Sequence, residues 1–161
     1  MTLRVCTATE MTAGERQEFI AFVLRGAQVN EHTLPNLVDR AVALVTLHDG
    51  KSLIGTAAVK IPNAGHHHGD FTKAGVKERA AEFPFELGWV HSSRSGNGNG
   101  RKLVAAAVEA AGNRSVYATT KTDQMKHMLP DYGFVVLGQP FRSTQDPDAN
   151  LNLFVRSLPS A

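Results

Sequence analysis

Ser95-Gly96-Asn97-Gly98-Asn99-Gly100-Arg101-Lys102 joins an apolar run, Phe85 to His91, to a second run in which Leu103, Val104, Ala107, Val108 and Ala111 share one helical face. The local order is therefore strand, glycine turn, helix. Alternate glycines let the backbone approach a ligand closely, and the first turn of the helix offers N–H groups without intrahelical partners at the positive end of its dipole. Arg94, Arg101 and Lys102 add positive charge, and no acidic residue stands between Glu86 and Glu109. This combination suits a phosphate; a mobile connector is the other reading of a bare glycine loop. A Walker A loop would need Lys and then Ser or Thr directly after Gly100, where Arg101, Lys102 and Leu103 follow. A dinucleotide fingerprint would set its third glycine three places after the second, whereas these glycines alternate.

The rest of the chain is read outward from this turn. Leu3 to Thr7 predicts a first strand. Thr12 and Glu15 have capping-box spacing ahead of Phe19, Ile20, Phe22, Val23 and Leu24, so a helix should run from near Thr12 to Gly26. Leu34 to Arg40 predicts a short helix entered around Pro35. Ala41 to Leu47 and Ser52 to Ile61 then predict an antiparallel hairpin turning at Asp49 and Gly50. Pro62 to Glu82 has no sustained period and reads as a long excursion with about one helical turn. Beyond the helix of Gly98 to Ala111, which Gly112 stops, come a strand at Ser115 to Thr120 and a short helix at Thr122 to Leu129 ended by Pro130. Phe134 to Leu137 and Leu151 to Arg156 predict two last strands joined by a polar loop. The result is an α+β fold, a mixed sheet with helices on its faces and one parallel unit.

With 161 residues, 42% hydrophobic and 20% charged, the chain is sized for one folded domain, residues 1–161, and is not globally disordered. Its apolar stretches fall short of the ~20 residues that a membrane-spanning helix requires, and the N-terminus has no apolar core after a basic start, so no membrane role and no leader are expected. The lone Cys6 excludes an internal disulfide and a cysteine-based zinc site; it fits a core strand residue in a reducing, cytoplasmic setting. A net charge of +2 and a pI near 8.9 permit anionic partners. The basic residues are dispersed and not interleaved with aromatics, which argues against nucleic acid.

In this setting the glycine turn resembles the acyl-CoA loop of the GNAT superfamily of N-acyltransferases, whose pattern is Arg or Gln, two residues, Gly, one residue, then Gly or Ala. The resemblance covers nearly the whole chain. Glu86-Leu87-Gly88-Trp89-Val90 matches the central strand, Ser95 to Gly100 the loop, and Arg101-Lys102-Leu103-Val104 the helix. Val116-Tyr117-Ala118-Thr119-Thr120, then Met125 and Leu129, then Gly133-Phe134 are similar to the fifth strand, fourth helix and sixth-strand opening. It implies a mixed, mostly antiparallel sheet with a central splayed parallel strand pair and flanking helices. It also implies transfer of acetyl, or another acyl group, from acyl-CoA to a primary amine on a small molecule or protein. Two positions depart from the pattern. Ser95 stands where Arg or Gln is usual, and Leu129 where many members place a tyrosine that protonates the departing thiolate.

Attack of an amine on a thioester requires a proton acceptor, donors for the developing oxyanion and a route for protonating the thiolate. The resemblance places Val90, His91 and Ser92 along the cofactor arm, with their N–H groups as oxyanion donors. It places Ser95, Gly96, Asn97, Gly98, Asn99, Gly100 and Arg101 around the phosphates, and Thr120 and Asp123 at the corner that meets the arm. Helix capping by Thr120 or Thr122 is an equal account of that corner. Glu86, set among Phe83, Phe85 and Trp89, is a candidate base or amine-binding group, the alternative being an exposed charge at a strand start. His91 is a candidate base or a polar strand-end residue. Tyr132 is the phenol nearest to the absent acid, or else packs at a helix end. His66, His67 and His68 diverge as neighbours, so no metal is expected; they read as a solvated loop, with acceptor contacts as the alternative. Met125, Met128 and Leu129 read as a packed helix face. A CoA-binding module without transferase activity remains open, as does a homodimer through the sheet edge.

Overall fold

The computed structural model describes residues 1–26, 29–94, 96–143 and 146–157. The chain divides into two compact units, Met1–Ile61 with Leu87–Gly112 and Pro62–Glu86 with Asn113–Ala161.

The first unit orders β1 (Thr2–Cys6), β2 (Ala43–Asp49), β3 (Ser52–Lys60) and β4 (Phe85–Ser92) side by side, β4 entering it from Leu87. β1 and β2 pair antiparallel with Cys6 opposite Leu44, and β2 and β3 pair antiparallel with Ala43 opposite Val59. All five residues from Ala43 to Leu47 are buried, as a strand covered on both faces requires. Helix α1 (Ala13–Gly26) starts on the expected reciprocal cap: Thr12 N–H donates to Glu15 Oε1 at 2.8 Å and Glu15 N–H to Thr12 Oγ1 at 3.1 Å. Phe19 and Val23 of α1 join Leu34 and Val38 of α2 (Leu34–Arg40) on Leu44, Ala58 and Trp89. Each side chain of this size contributes about 1.5–3 kcal/mol by leaving water. Helix α4 (Asn99–Ala111) packs on β2 and β3 through Leu103, Val104 and Ala107, and ends at Gly112 with φ 58°.

In the second unit, the start of β4 pairs parallel to β5 (Val116–Thr120), Phe85 with Val116 and Glu86 with Tyr117. β5 pairs antiparallel to β8 (Asn150–Arg156), which also carries β6 (Val135–Val136) and β7 (Phe141–Arg142). Phe71, Phe83, Tyr117, Phe141 and Leu153 form its core. The sheet is thus mixed, with one parallel pair, as the element order required. Cys6 is buried, and among the described residues no helix is long and apolar enough to cross a membrane.

The largest correction concerns Pro62 to Glu82. This segment is not an open excursion: Ala64–Lys73 forms helix α3, and Lys77–Glu82 a 3₁₀ helix. The local pattern conceals α3 because glycines and three histidines break its apolar period, and Phe71 anchors it instead by stacking on Phe83 at 6.1 Å and meeting Tyr117 edge-on at 5.1 Å. The loop before β8 likewise contains β7, whose two residues are too few to show a period.

Candidate functional site

The glycine turn is built as its composition demands. Gly96 and Gly98 have φ of 82° and 72°, in the left-handed region that a side chain disfavours. A Cβ at either position would meet nothing within 4 Å, so the turn borders open space. Gly98 caps α4, its carbonyl accepting the Lys102 N–H at 3.2 Å. Asn99, the first residue of α4, is 1% exposed, and neither atom of its side-chain amide has a hydrogen-bond partner. A buried amide without partners calls for a ligand or water. Asn97 and Arg101 are exposed, Gly100 is half-buried, and Ser95 lies outside the described residues. Arg94 is engaged by Asp49 through a short ion pair, so its charge is tied to the β2–β3 turn. The residues present fit a phosphate-bearing ligand.

On β4, Trp89 has φ 51°, the positive-φ exception among described non-glycine residues, and its carbonyl accepts a 2.8 Å hydrogen bond from Thr56 Oγ1. Strain of this kind is sustained only where neighbours enforce it, and it concentrates at functional sites. Val90, His91 and Ser92 follow directly and are partly buried. Burial pushes the His91 imidazole below its ordinary pKa, which keeps the ring neutral and able to accept a proton. The ring packs against the end of α1, where a Cβ on Gly26 would stand 2.8 Å from it.

Within the second unit Glu86 is 4% exposed, not an exposed charge at a strand start. His66 Nε2 lies 3.3 Å from Glu86 Oε2 and 3.1 Å from Asp70 Oδ2. His66 is therefore not merely part of a solvated loop. His67 turns inward instead, stacking on Tyr117 at 5.2 Å. Burial above all, then the charges of Glu86 and Asp70, drive the Tyr117 phenol far above its ordinary pKa, so it stays protonated. Composition could not reveal Asp70 and Tyr117 beside Glu86. The only local signal was the four-residue spacing of His66 and Asp70, which places both on one helical face once α3 is recognised.

At the corner after β5, Thr122 caps α5 (Asp123–Met128), accepting the Met125 N–H at 3.3 Å, while Thr120 Oγ1 accepts the Thr122 N–H at 3.2 Å. The capping account of this corner therefore holds, and Asp123 is exposed beside it. His127 is tied within α5 through a 2.7 Å bond between Nδ1 and the Asp123 carbonyl. Leu129 is fully buried, and Tyr132 lies beyond α5 on a 3₁₀ turn, half-buried.

No protein-family model and no curated protein sequence matches the chain. Solved structures do. An acyl-CoA N-acyltransferase from Pseudomonas aeruginosa is similar over 98% of this chain and 100% of its own, with a TM-score of 0.71 and 15% identity. FeeM, an N-acyl amino acid synthase from uncultured soil microbes, is similar over 99% and 91%, with a TM-score of 0.74 and 12% identity. A histone acetyltransferase HPA2 and related acetyltransferase from Corynebacterium glutamicum is similar over the full length of both chains, with a TM-score of 0.63 and 18% identity. At these identities the likeness is one of fold, and the fold of this chain is that of the GNAT acyltransferases.

Proposed function

We propose that residues 1–161 form one acyl-CoA-dependent N-acyltransferase domain that moves acetyl, or a related acyl group, to a primary amine by direct attack. The observation that carries this reading is the glycine turn, with Gly96 and Gly98 at positive φ, open space at both Cβ positions, and the unpartnered, buried Asn99 amide opening α4. Gly96 to Arg101 would hold the phosphates of the cofactor, with Ser95 beside them, and Val90, His91 and Ser92 would pair with its arm, supported by Thr120 and Asp123. The bound acyl-CoA supplies an activated thioester. Glu86 accepts the proton that the ammonium must lose, directly or through water, and His91, held neutral by burial, is the second candidate base. N–H groups of residues 90–92 stabilise the oxyanion. Tyr132 is the candidate acid for the thiolate. The lone buried Cys6 fits a reducing, cytoplasmic setting.

A second reading, a CoA-binding module without transferase activity, is favoured by one observation: Leu129 is fully buried where many GNAT members would carry the acid, and Tyr132 lies off α5. Thermal denaturation with acetyl-CoA, compared with free adenosine nucleotides, tests what both readings share. Ligand at 100-fold over its dissociation constant should stabilise the protein by about 2.7 kcal/mol. No shift at millimolar acetyl-CoA removes both. A shift followed by thiol release in the presence of alkylamines selects the enzyme, and a shift without release across the amine panel selects the module.

A further inference from the structure

The catalytic reading uses only Glu86 from a larger cluster in the second unit. His66 Nε2, Asp70 Oδ2 and Glu86 Oε2 converge, with His66 Nε2 3.1 Å and 3.3 Å from the two carboxylates. Asp70 and Glu86 are 7% and 4% exposed, while the His66 side chain is half exposed and brings the cluster to solvent. Tyr117 stands opposite Glu86 in the parallel pair and is fully buried; its hydroxyl, like Nε2 of the His67 ring stacked on it, is buried without a hydrogen-bond partner. Buried polar atoms in this state mark a place for a ligand or ordered water.

We propose that His66, Asp70, Glu86 and Tyr117 form a binding site for a primary alkylammonium, the acceptor in its protonated form. The inference rests on the reading of Glu86 as the group that handles the amine. A primary ammonium carries three N–H donors and no acceptor, and two carboxylates with a phenol oxygen supply three acceptors of the matching kind. Asp70 and Tyr117 hold the ammonium, and Glu86 then takes one of its protons, leaving the nitrogen lone pair for attack. His66, Asp70 and Glu86 by themselves also suit a divalent cation; the Tyr117 hydroxyl, buried without a partner, adds a neutral acceptor that an ammonium uses and that such a cation does not need. An acceptor with a carboxylate next to its amine would bring that anion against Asp70 and Glu86. The favoured class is therefore an alkylamine without an adjacent carboxylate.

The test is calorimetric titration of n-butylammonium into the wild-type protein, Asp70→Asn and Tyr117→Phe. Charge-assisted hydrogen bonds of this kind predict weakening by about ten-fold or more in Asp70→Asn, and by about three-fold or more in Tyr117→Phe. No binding to the wild type at millimolar concentration, or equal affinity in all three proteins, overturns the proposal. If Asp70→Asn does not fold, Tyr117→Phe decides it. Glycine binding as tightly as n-butylammonium overturns the substrate class. Saturation by Zn²⁺ with no response to n-butylammonium overturns the site as drawn and assigns the cluster to a metal. Acetyl-CoA titrated into the same preparations separates the two readings. Acetyl-CoA binding without n-butylammonium binding sinks this inference alone, whereas Asp70-dependent n-butylammonium binding without acetyl-CoA binding sinks the acyltransferase reading and leaves the site standing.

Discussion

Thr56 Oγ1 donates a 2.8 Å hydrogen bond to the carbonyl of Trp89, so a side chain on β3 restrains the residue at which β4 departs from extended geometry. Thr56 is fully buried, and no water can replace its hydroxyl without rearrangement. Thr56→Val keeps the shape and leaves the carbonyl unpaired, which should cost about 1–3 kcal/mol. Urea denaturation measures this. Thr56→Ser should retain most of the stability, and an unchanged midpoint in Thr56→Val would show that the Trp89 conformation does not depend on this bond.

Gly98 governs the proposed cofactor turn in two ways. Its φ of 72° disfavours any side chain, and the open space at its Cβ is where a phosphate would approach. Gly98→Ala should cost about 1–2 kcal/mol through backbone strain alone. Gly98→Glu should also abolish acetyl-CoA binding, by filling the turn and adding negative charge. Calorimetry on the folded Gly98→Glu protein checks the placement, and retained acetyl-CoA binding would remove the phosphates from this loop.

What the sequence made legible was local. Gly96, Gly98 and the start of α4 lie within a few residues of one another, so composition and spacing anticipated both the turn and the helix it caps. The cap joining Thr12 to Glu15 was readable for the same reason, since both partners lie within one helical turn. Helix α3 was hidden because Gly65, Gly69 and three histidines carry no period, and its stability comes from Phe71 in an aromatic cluster drawn from distant segments. The juxtaposition of Asp70, Glu86 and Tyr117 joins a helix to two strands, and no spacing along the chain encodes it.

Gly138 is constrained by a different kind of contact. Its φ is 77°, and a Cβ there would stand 2.3 Å from the Ala74 carbonyl oxygen, which already accepts the Gln139 N–H at 2.9 Å. Gly138→Ala must therefore displace backbone as well as adopt a strained φ, for a cost of about 2–5 kcal/mol. Gly65 is the control. It lies within α3 and a Cβ there meets nothing within 4 Å, so Gly65→Ala should stabilise by about 0.5–1 kcal/mol. Thermal unfolding of the two variants should move in opposite directions, and the absence of any gain in Gly65→Ala would mean that α3 does not persist in solution.

His91 supplies a pH dependence whose sign follows from burial. The folded state holds its imidazole below the ordinary value of 6.5, because the partly buried ring cannot be charged without losing hydration. The unfolded chain therefore binds the proton first as pH falls, and the folded state loses stability from about pH 6.5 down to the folded pKa. Above that window His91 contributes no slope. His91→Gln should remove this component, so its stability relative to wild type should be flat above about pH 7 and rise as the solution is acidified. The imidazole resonances followed by NMR give the direct measure, with a His91 midpoint below 6.5 expected. A Cβ at Gly26 would stand 2.8 Å from the ring, so Gly26→Ala should push His91 toward solvent and return its midpoint upward. A wild-type midpoint at or above 6.5 would show a hydrated or ion-paired ring, and would remove His91 as a neutral base near the bend in β4.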